Sequence, residues 1–104
     1  MNGYGSGMNI EVIDVRRHAS KTQIRGALRY DPRELLKVDH PVLPVERDRT
    51  IAVYGDSEQT VKEVVEHLRD DGYHAAVLVG GIEEWTKRGL PTEELTQEQP
   101  IPGK

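Results

Sequence analysis

Apolar runs at three places along the chain predict the strands of a sheet. Residues 10–15 alternate and then run apolar, whereas residues 50–54 and 75–79 are continuous apolar runs. Continuous runs of this length are typical of strands that are buried on both faces of a parallel sheet. A further short strand is predicted around Ala27 and Leu28. We therefore expect the core to form around a parallel sheet.

Segments whose apolar residues have helical spacing lie between these apolar runs. The strongest predicted helix, over about residues 58–71, has four apolar residues at positions i, i+3, i+4 and i+7 of one face. They are Val61, Val64, Val65 and Leu68. Asp56 or Ser57 can cap the start of this helix, and Gly72 fits the position just past its end.

Two shorter helices are also predicted. Asp31 is a good capping residue, and Pro32 follows it at the first helical position, where proline is favoured. Residues 82–88 form the other helix, which Gly89 and Pro91 end.

Strands and helices that alternate in this way predict an α/β domain with an open, parallel sheet covered by helices. Ligands bind such sheets outside the carboxyl ends of the strands, so the loop after Tyr54 is the first place to seek chemistry. Residues 1–8 are expected to be a flexible lead, residues 9–92 the folded domain and residues 93–104 a flexible tail.

Composition and charge narrow the functional classes. The 104 residues suit one domain, and their formal net charge is -4 with no basic stripe, which argues against nucleic-acid binding. No apolar run approaches the roughly 18 residues of a membrane helix. Residues 1–7 lack the basic and apolar regions of a secretory signal. We therefore expect a cytoplasmic domain that contacts neither nucleic acid nor membrane.

The chain contains no cysteine. This absence excludes disulfides, thiolate metal sites and thiol nucleophiles together. Its four histidines, which show no metal-ligand spacing, are His18, His40, His67 and His74. No metal and no cofactor are therefore predicted.

Several short motifs, in order and spacing, resemble the rhodanese domain over roughly residues 9–92. The first are Asp14-Val15-Arg16 and Ile24-Arg25-Gly26-Ala27. They are followed by residues 51–54 before a loop and helix, residues 68–73, Gly80-Gly81 leading to Trp85, and Gly89-Leu90-Pro91. The resemblance implies a three-layer α/β/α fold whose central, mostly parallel sheet has about five strands. It also implies that Trp85 is a core residue, whose indole N–H then needs a partner.

The resemblance also locates the expected active site. In active rhodaneses a cysteine follows the strand that matches residues 51–54, and it carries sulfur as a persulfide. That cysteine opens a six-residue loop whose N–H groups cradle an anion. The matching loop here is Gly55, Asp56, Ser57, Glu58, Gln59 and Thr60. Gly55 stands at the cysteine position, or Asp56 if the alignment slips by one residue, and neither supplies the thiolate that persulfide chemistry needs.

Charged residues around this degenerate loop also argue against sulfurtransferase activity. Asp56 and Glu58 would repel an anionic substrate. The residues predicted to flank the crevice are Asp14, Arg16, Arg17 and His18. Asp14 and Arg16 are interpreted as a pair that orients the surrounding loops, with an anion clamp at Arg16 as the alternative.

These observations predict a catalytically inactive rhodanese-like domain with a binding, regulatory or sensory role and a protein partner. One alternative is a hydrolase or metal-dependent phosphatase that uses Asp56 or Ser57, although both residues also suit a helix N-terminus. Another alternative is a subunit that docks beside a cysteine-containing sulfurtransferase.

Overall fold

A computed structural model describes residues 10–17 and 21–95 of the chain. Within these residues the strands are β1 (Ile10–Asp14), β2 (Thr22–Ile24), β3 (Leu28–Arg29), β4 (Thr50–Tyr54), β5 (His74–Val77) and β6 (Thr92–Glu94). The helices are α1 (Pro32–Lys37), α2 (Glu58–Asp70) and α3 (Gly81–Lys87). No helix in the described part of the chain is long and apolar enough to span a bilayer.

The main sheet is parallel throughout and has the strand order β3-β1-β4-β5. Its register pairs Asp14 with Tyr54 across β1 and β4, and Asp14 with Arg29 across β1 and β3. The four strands seen in the described residues are slightly fewer than the five expected. The reason is that β2 does not join this sheet and pairs with β6 in a separate antiparallel ladder.

Strand β6 corrects the predicted boundary between domain and tail. Glu93 and Glu94, which were assigned to the tail, lie in β6 opposite Gln23 and Thr22. The backbone N–H of Leu95 extends the contact by donating to the carbonyl of Lys21 at 2.7 Å. A short two-stranded ladder of mostly polar residues has no apolar pattern, so the sequence did not reveal it.

The two faces of the main sheet carry separate clusters of apolar side chains. On one face, α1 and α2 cover a core that includes Ile13, Ile51 and Leu68. On the other face, Trp85 of α3 packs with Val12 and Ile24. This arrangement confirms the three-layer α/β/α fold and the core position of Trp85. Its indole N–H has the expected partner, the carbonyl of Pro91 at 2.7 Å.

Most helix boundaries agree with the predicted signals. Asp31 caps α1 by accepting a hydrogen bond from the backbone N–H of Arg33 at 2.9 Å. Ser57, and not Asp56, caps α2, and its Oγ accepts from the N–H of Thr60 at 3.3 Å. Gly72 follows α2 with a φ of +95°, which is costly for other residues.

The strand predicted over residues 75–79 is shifted toward the N-terminus. β5 runs from His74 to Val77, and Val79 lies outside it with 82% of its surface exposed. The left-handed Gly80, with a φ of +81°, turns the chain into α3 and ends the extended segment early. Val79 is therefore placed at the edge of the sheet, whereas Leu78 packs, partly buried, against the cluster that contains Trp85.

Candidate functional site

A groove of about 630 Å³ lies at the carboxyl edge of the sheet, where β1, β4 and β5 end. The turn after β4 forms part of its lining, as the topology predicted. Its apolar lining residues are Val61, Val77, Leu78, Val79 and Ile82. Its charged lining residues are Arg16, Asp56, Glu58 and Glu83. The groove therefore combines an apolar wall with a rim of three exposed carboxylates, whereas the guanidinium of Arg16 is almost fully buried.

The predicted six-residue loop is divided between a turn and a helix. Gly55, Asp56 and Ser57 form the turn, whereas Glu58, Gln59 and Thr60 are the first residues of α2. The side chain of Gln59 extends along α2, where its amide donates a hydrogen bond to the carboxylate of Glu63 at 3.1 Å. Of the loop residues, only Gly55, Asp56 and Glu58 line the groove.

Gly55 is enclosed by two stiff side chains. A Cβ atom added there would lie 2.8 Å from Cγ2 of Val15 and 3.1 Å from Cγ2 of Val61. The first distance is shorter than real Cβ contacts, and β-branched side chains rotate with difficulty. Gly55 has no positive φ, so the absence of a side chain is required by space and not by backbone conformation. The position directly after β4 therefore has no room for a larger side chain.

Asp56 ties two loops of the groove together. Its Oδ2 accepts a hydrogen bond from the backbone N–H of Arg17 at 2.8 Å, which joins the turn after β4 to the segment after β1. Ser57 Oγ is engaged at the helix cap described above. No group of three or more metal-ligating side chains is found in residues 10–17 and 21–95. Ser57 therefore serves as the helix cap and Asp56 as a link between two loops, so each candidate nucleophile has a structural contact.

Beneath the groove, the carboxylate of Asp14 is fully buried and accepts several hydrogen bonds. Its Oδ2 accepts from Arg16 Nη2 at 2.8 Å and from the hydroxyl of Tyr54 at 2.8 Å. Its Oδ1 accepts from the backbone N–H of Arg16 at 2.8 Å. Arg16 Nη2 also donates to the carbonyl of Thr22 at 2.8 Å, which links β1 to β2. These contacts tie the segment after β1 to β2 and to β4.

Burial and the hydrogen bond to Asp14 both affect the ionisation of this cluster. Burial first, and then the contact with Asp14, raise the pKa of the Tyr54 hydroxyl well above its ordinary value. Burial alone would lower the pKa of Arg16, but the hydrogen bond and charge of Asp14 outweigh it and raise that pKa. The Tyr54 hydroxyl and the Arg16 guanidinium therefore keep their protons at neutral pH, and Tyr54 also accepts from the N–H of Ile24 at 3.1 Å.

The other residues that were predicted to flank the crevice do not all line the groove. Arg16 lines both the groove and a second cavity, whereas Arg17 lines only the second cavity. His18 lies outside the described residues. The second cavity also includes Arg29, Tyr30, Asp31 and Arg33. None of these four residues was predicted to belong to a functional site. The parallel pairing of β1 with β3 would have indicated Arg29, since it places this residue beside Asp14.

The chain belongs to the rhodanese-like domain family, because the sequence model of the rhodanese-like domain matches residues 4–88. The resemblance stated from the motifs is therefore confirmed, in a member whose sequence contains no cysteine. No curated protein sequence matches the chain significantly.

Solved structures share the fold. The rhodanese-like domain of a protein from Anabaena is 30% identical to this chain, with a TM-score of 0.68, and the match covers 81% of this chain and 90% of that one. A full-length protein from Lactobacillus plantarum is 25% identical, with a TM-score of 0.71, over 88% of this chain and 78% of its own. A rhodanese-related protein from Thermoplasma volcanium has a TM-score of 0.62 at 24% identity, over 88% of this chain and 90% of its own, and shows the fold alone.

Proposed function

We propose that this domain is a binding module without sulfurtransferase activity, and that its groove receives a segment of a partner protein. The observation that carries the proposal is the enclosure of Gly55 by Val15 and Val61 directly after β4. Persulfide chemistry needs a thiolate, and this sequence supplies none. The neighbouring Asp56, at the alternative cysteine position, bonds the backbone of Arg17.

The lining of the groove indicates the chemistry of the partner segment. Val79 is 82% exposed and Val77 is 38% exposed, so part of the apolar wall faces solvent and gains from being covered. Asp56, Glu58 and Glu83 contribute negative charge around it. A segment with apolar side chains for the wall and lysine or arginine for the rim fits both features. Docking beside a cysteine-containing sulfurtransferase would be one form of this function.

The catalytic half of the proposal is tested with thiosulfate and cyanide. We expect thiocyanate to form no faster with the domain than in buffer, because no side chain can carry the sulfur. The measurement is thiocyanate production, with mass spectrometry of the protein after incubation with thiosulfate. A mass increase of one sulfur atom that dithiothreitol removes would contradict the proposal.

The binding half is tested with capped peptides that contain leucine with lysine, leucine with glutamate, or serine with lysine. We expect only the first peptide to shift the amide resonances of the groove in titrations followed by NMR. Glu58→Gln and Glu83→Gln remove rim charges and should each weaken this binding about two- to fivefold, the range of exposed ion pairs. Equal binding of the glutamate peptide would contradict the assignment.

Glu66→Gln is the matched control, because Glu66 is an exposed residue of α2 that does not line the groove. It changes the net charge by the same amount as Glu58→Gln on the same helix. Its affinity for the peptide should equal that of the unmodified domain. An equal loss of affinity in the control would show that overall charge, and not the rim, governs binding.

A further inference from the structure

We propose that a second cavity, beside the groove, binds a dianionic oxyanion, namely the phosphate group of a small molecule or the free phosphate ion. The cavity has a volume of about 360 Å³ and lies where β1 and β3 end. The residues that line it are Arg16, Arg17, Arg29, Tyr30, Asp31 and Arg33. It shares only Arg16 with the groove, and the proposal does not depend on the function assigned to the groove.

The cavity is strongly cationic in a chain that is negatively charged overall. Four guanidinium groups line it, and the carboxylates in its wall or next to it are those of Asp31, Asp14 and Asp56. One positive charge therefore remains uncompensated within this local set, whereas the formal net charge of the chain is -4. A concave surface with an excess of one sign of charge concentrates counter-ions of the opposite sign. The charge thus favours an anion.

Several of the guanidinium groups are already held in position. Arg16 is 7% exposed and is fixed by Asp14, as described above. Arg29 Nη2 donates to the carbonyl of Arg16 at 3.1 Å, and Arg33 Nη2 donates to Asp31 Oδ2 at 3.3 Å. Side chains that are ordered before binding lose less conformational entropy when the ligand arrives. Arg16 and Arg29 therefore form a prepared part of the site, to which the exposed Arg17 and Arg33 add positive charge.

The chemistry of the lining suits a phosphate group. The planar guanidinium fork matches the oxygens of phosphate with paired hydrogen bonds, and a phosphate monoester carries about -1.5 to -2 charges at pH 7. Burial raises the pKa of Tyr30, so this lining residue stays neutral and adds no negative charge to the cavity. The volume lies at the lower end of the range for small-molecule pockets, about 300–1,000 Å³. A small phosphate compound or the free ion fits this space, whereas a folded partner does not.

The test is calorimetric titration of the domain at fixed ionic strength with inorganic phosphate, glycerol phosphate, succinate and glycerol. We expect saturable binding of the two phosphates at one site and none of glycerol. Arg17→Gln and Arg33→Gln change exposed side chains and should each weaken phosphate binding about tenfold, since each removes a charged hydrogen-bond donor. Arg88→Gln, which changes an exposed arginine of the segment after α3, should leave the affinity unchanged.

Each outcome decides the proposal. Tighter binding of glycerol phosphate than of inorganic phosphate assigns the site to organic phosphates, and equal binding assigns it to the free ion. Absence of saturable phosphate binding up to millimolar concentration would overturn the proposal, as would an equal loss in Arg88→Gln. Preferred binding of succinate would overturn the choice of phosphate. Peptide binding at the groove should be unaffected by Arg17→Gln, so failure at one site is distinguishable from failure at the other.

Discussion

Replacing Asp14 by alanine is expected to lower the free energy of unfolding by about 3–5 kcal/mol, the cost of removing one partner from a buried ion pair. The substitution leaves the guanidinium of Arg16 and the hydroxyl of Tyr54 in the protein interior without their shared acceptor. Arg29, whose Nε lies 3.8 Å from the same carboxylate, loses a nearby opposite charge as well. Urea denaturation followed by circular dichroism measures the change.

Two further variants serve as comparisons for Asp14→Ala. Asp14→Asn keeps an oxygen acceptor but removes the negative charge, so its loss should be smaller than that of Asp14→Ala. Asp31→Ala removes an exposed carboxylate that caps α1 and pairs with Arg33, and it should cost about 1 kcal/mol. If Asp14→Ala costs no more than Asp31→Ala, the buried cluster does not stabilise the fold as its contacts indicate.

Replacing Gly55 by alanine is expected to destabilise the domain by about 1–3 kcal/mol, the usual cost of overpacking a well-packed site. The added Cβ would meet Val15 Cγ2 at 2.8 Å, and Val15 is itself almost fully buried in the core between β1 and α2. Gly55→Cys should destabilise the domain by at least as much. We also expect it to restore little sulfur transfer, since Asp56 and Glu58 still repel an anionic substrate.

A double-mutant cycle tests the steric cause. In a Val15→Ala background the nearest obstructing methyl is absent, so Gly55→Ala should cost less there than in the original domain. Equal costs in both backgrounds would show that the loss arises elsewhere. Turnover by Gly55→Cys at the rate of an active family member would refute both the steric and the electrostatic arguments.

The second half of the fold was predictable because its signals are local. The i, i+3, i+4, i+7 spacing from Val61 to Leu68 requires only that one face of a helix be buried, and the structure buries these four residues. Thr50–Tyr54 is a continuous apolar run because it lies between two neighbouring strands and under helices on both faces of the sheet. Each pattern is read within one element, so no knowledge of strand pairing is needed.

Features that depend on pairing between distant segments were not predicted. β2 and β6 lie about 70 residues apart, and their ladder has little apolar alternation to reveal it. The arginine-lined cavity requires the parallel register that places Arg29 beside Asp14. The enclosure of Gly55 depends on where Val15 lies across the sheet edge. The sequence located the turn after β4 correctly, but the space around it is a property of the packed structure.

The ladder between β2 and β6 determines how far the domain can be truncated at its C-terminal side. The family match ends at residue 88, whereas the carbonyl that receives the indole proton of Trp85 belongs to Pro91. Glu93, further along, holds Gln23 and the N–H of Gly26 through one carboxylate oxygen. A fragment trimmed to the family limits would expose one flank of the tryptophan and remove the contacts that hold the turn between β2 and β3. Expression of the isolated domain therefore calls for a C-terminal limit beyond residue 95.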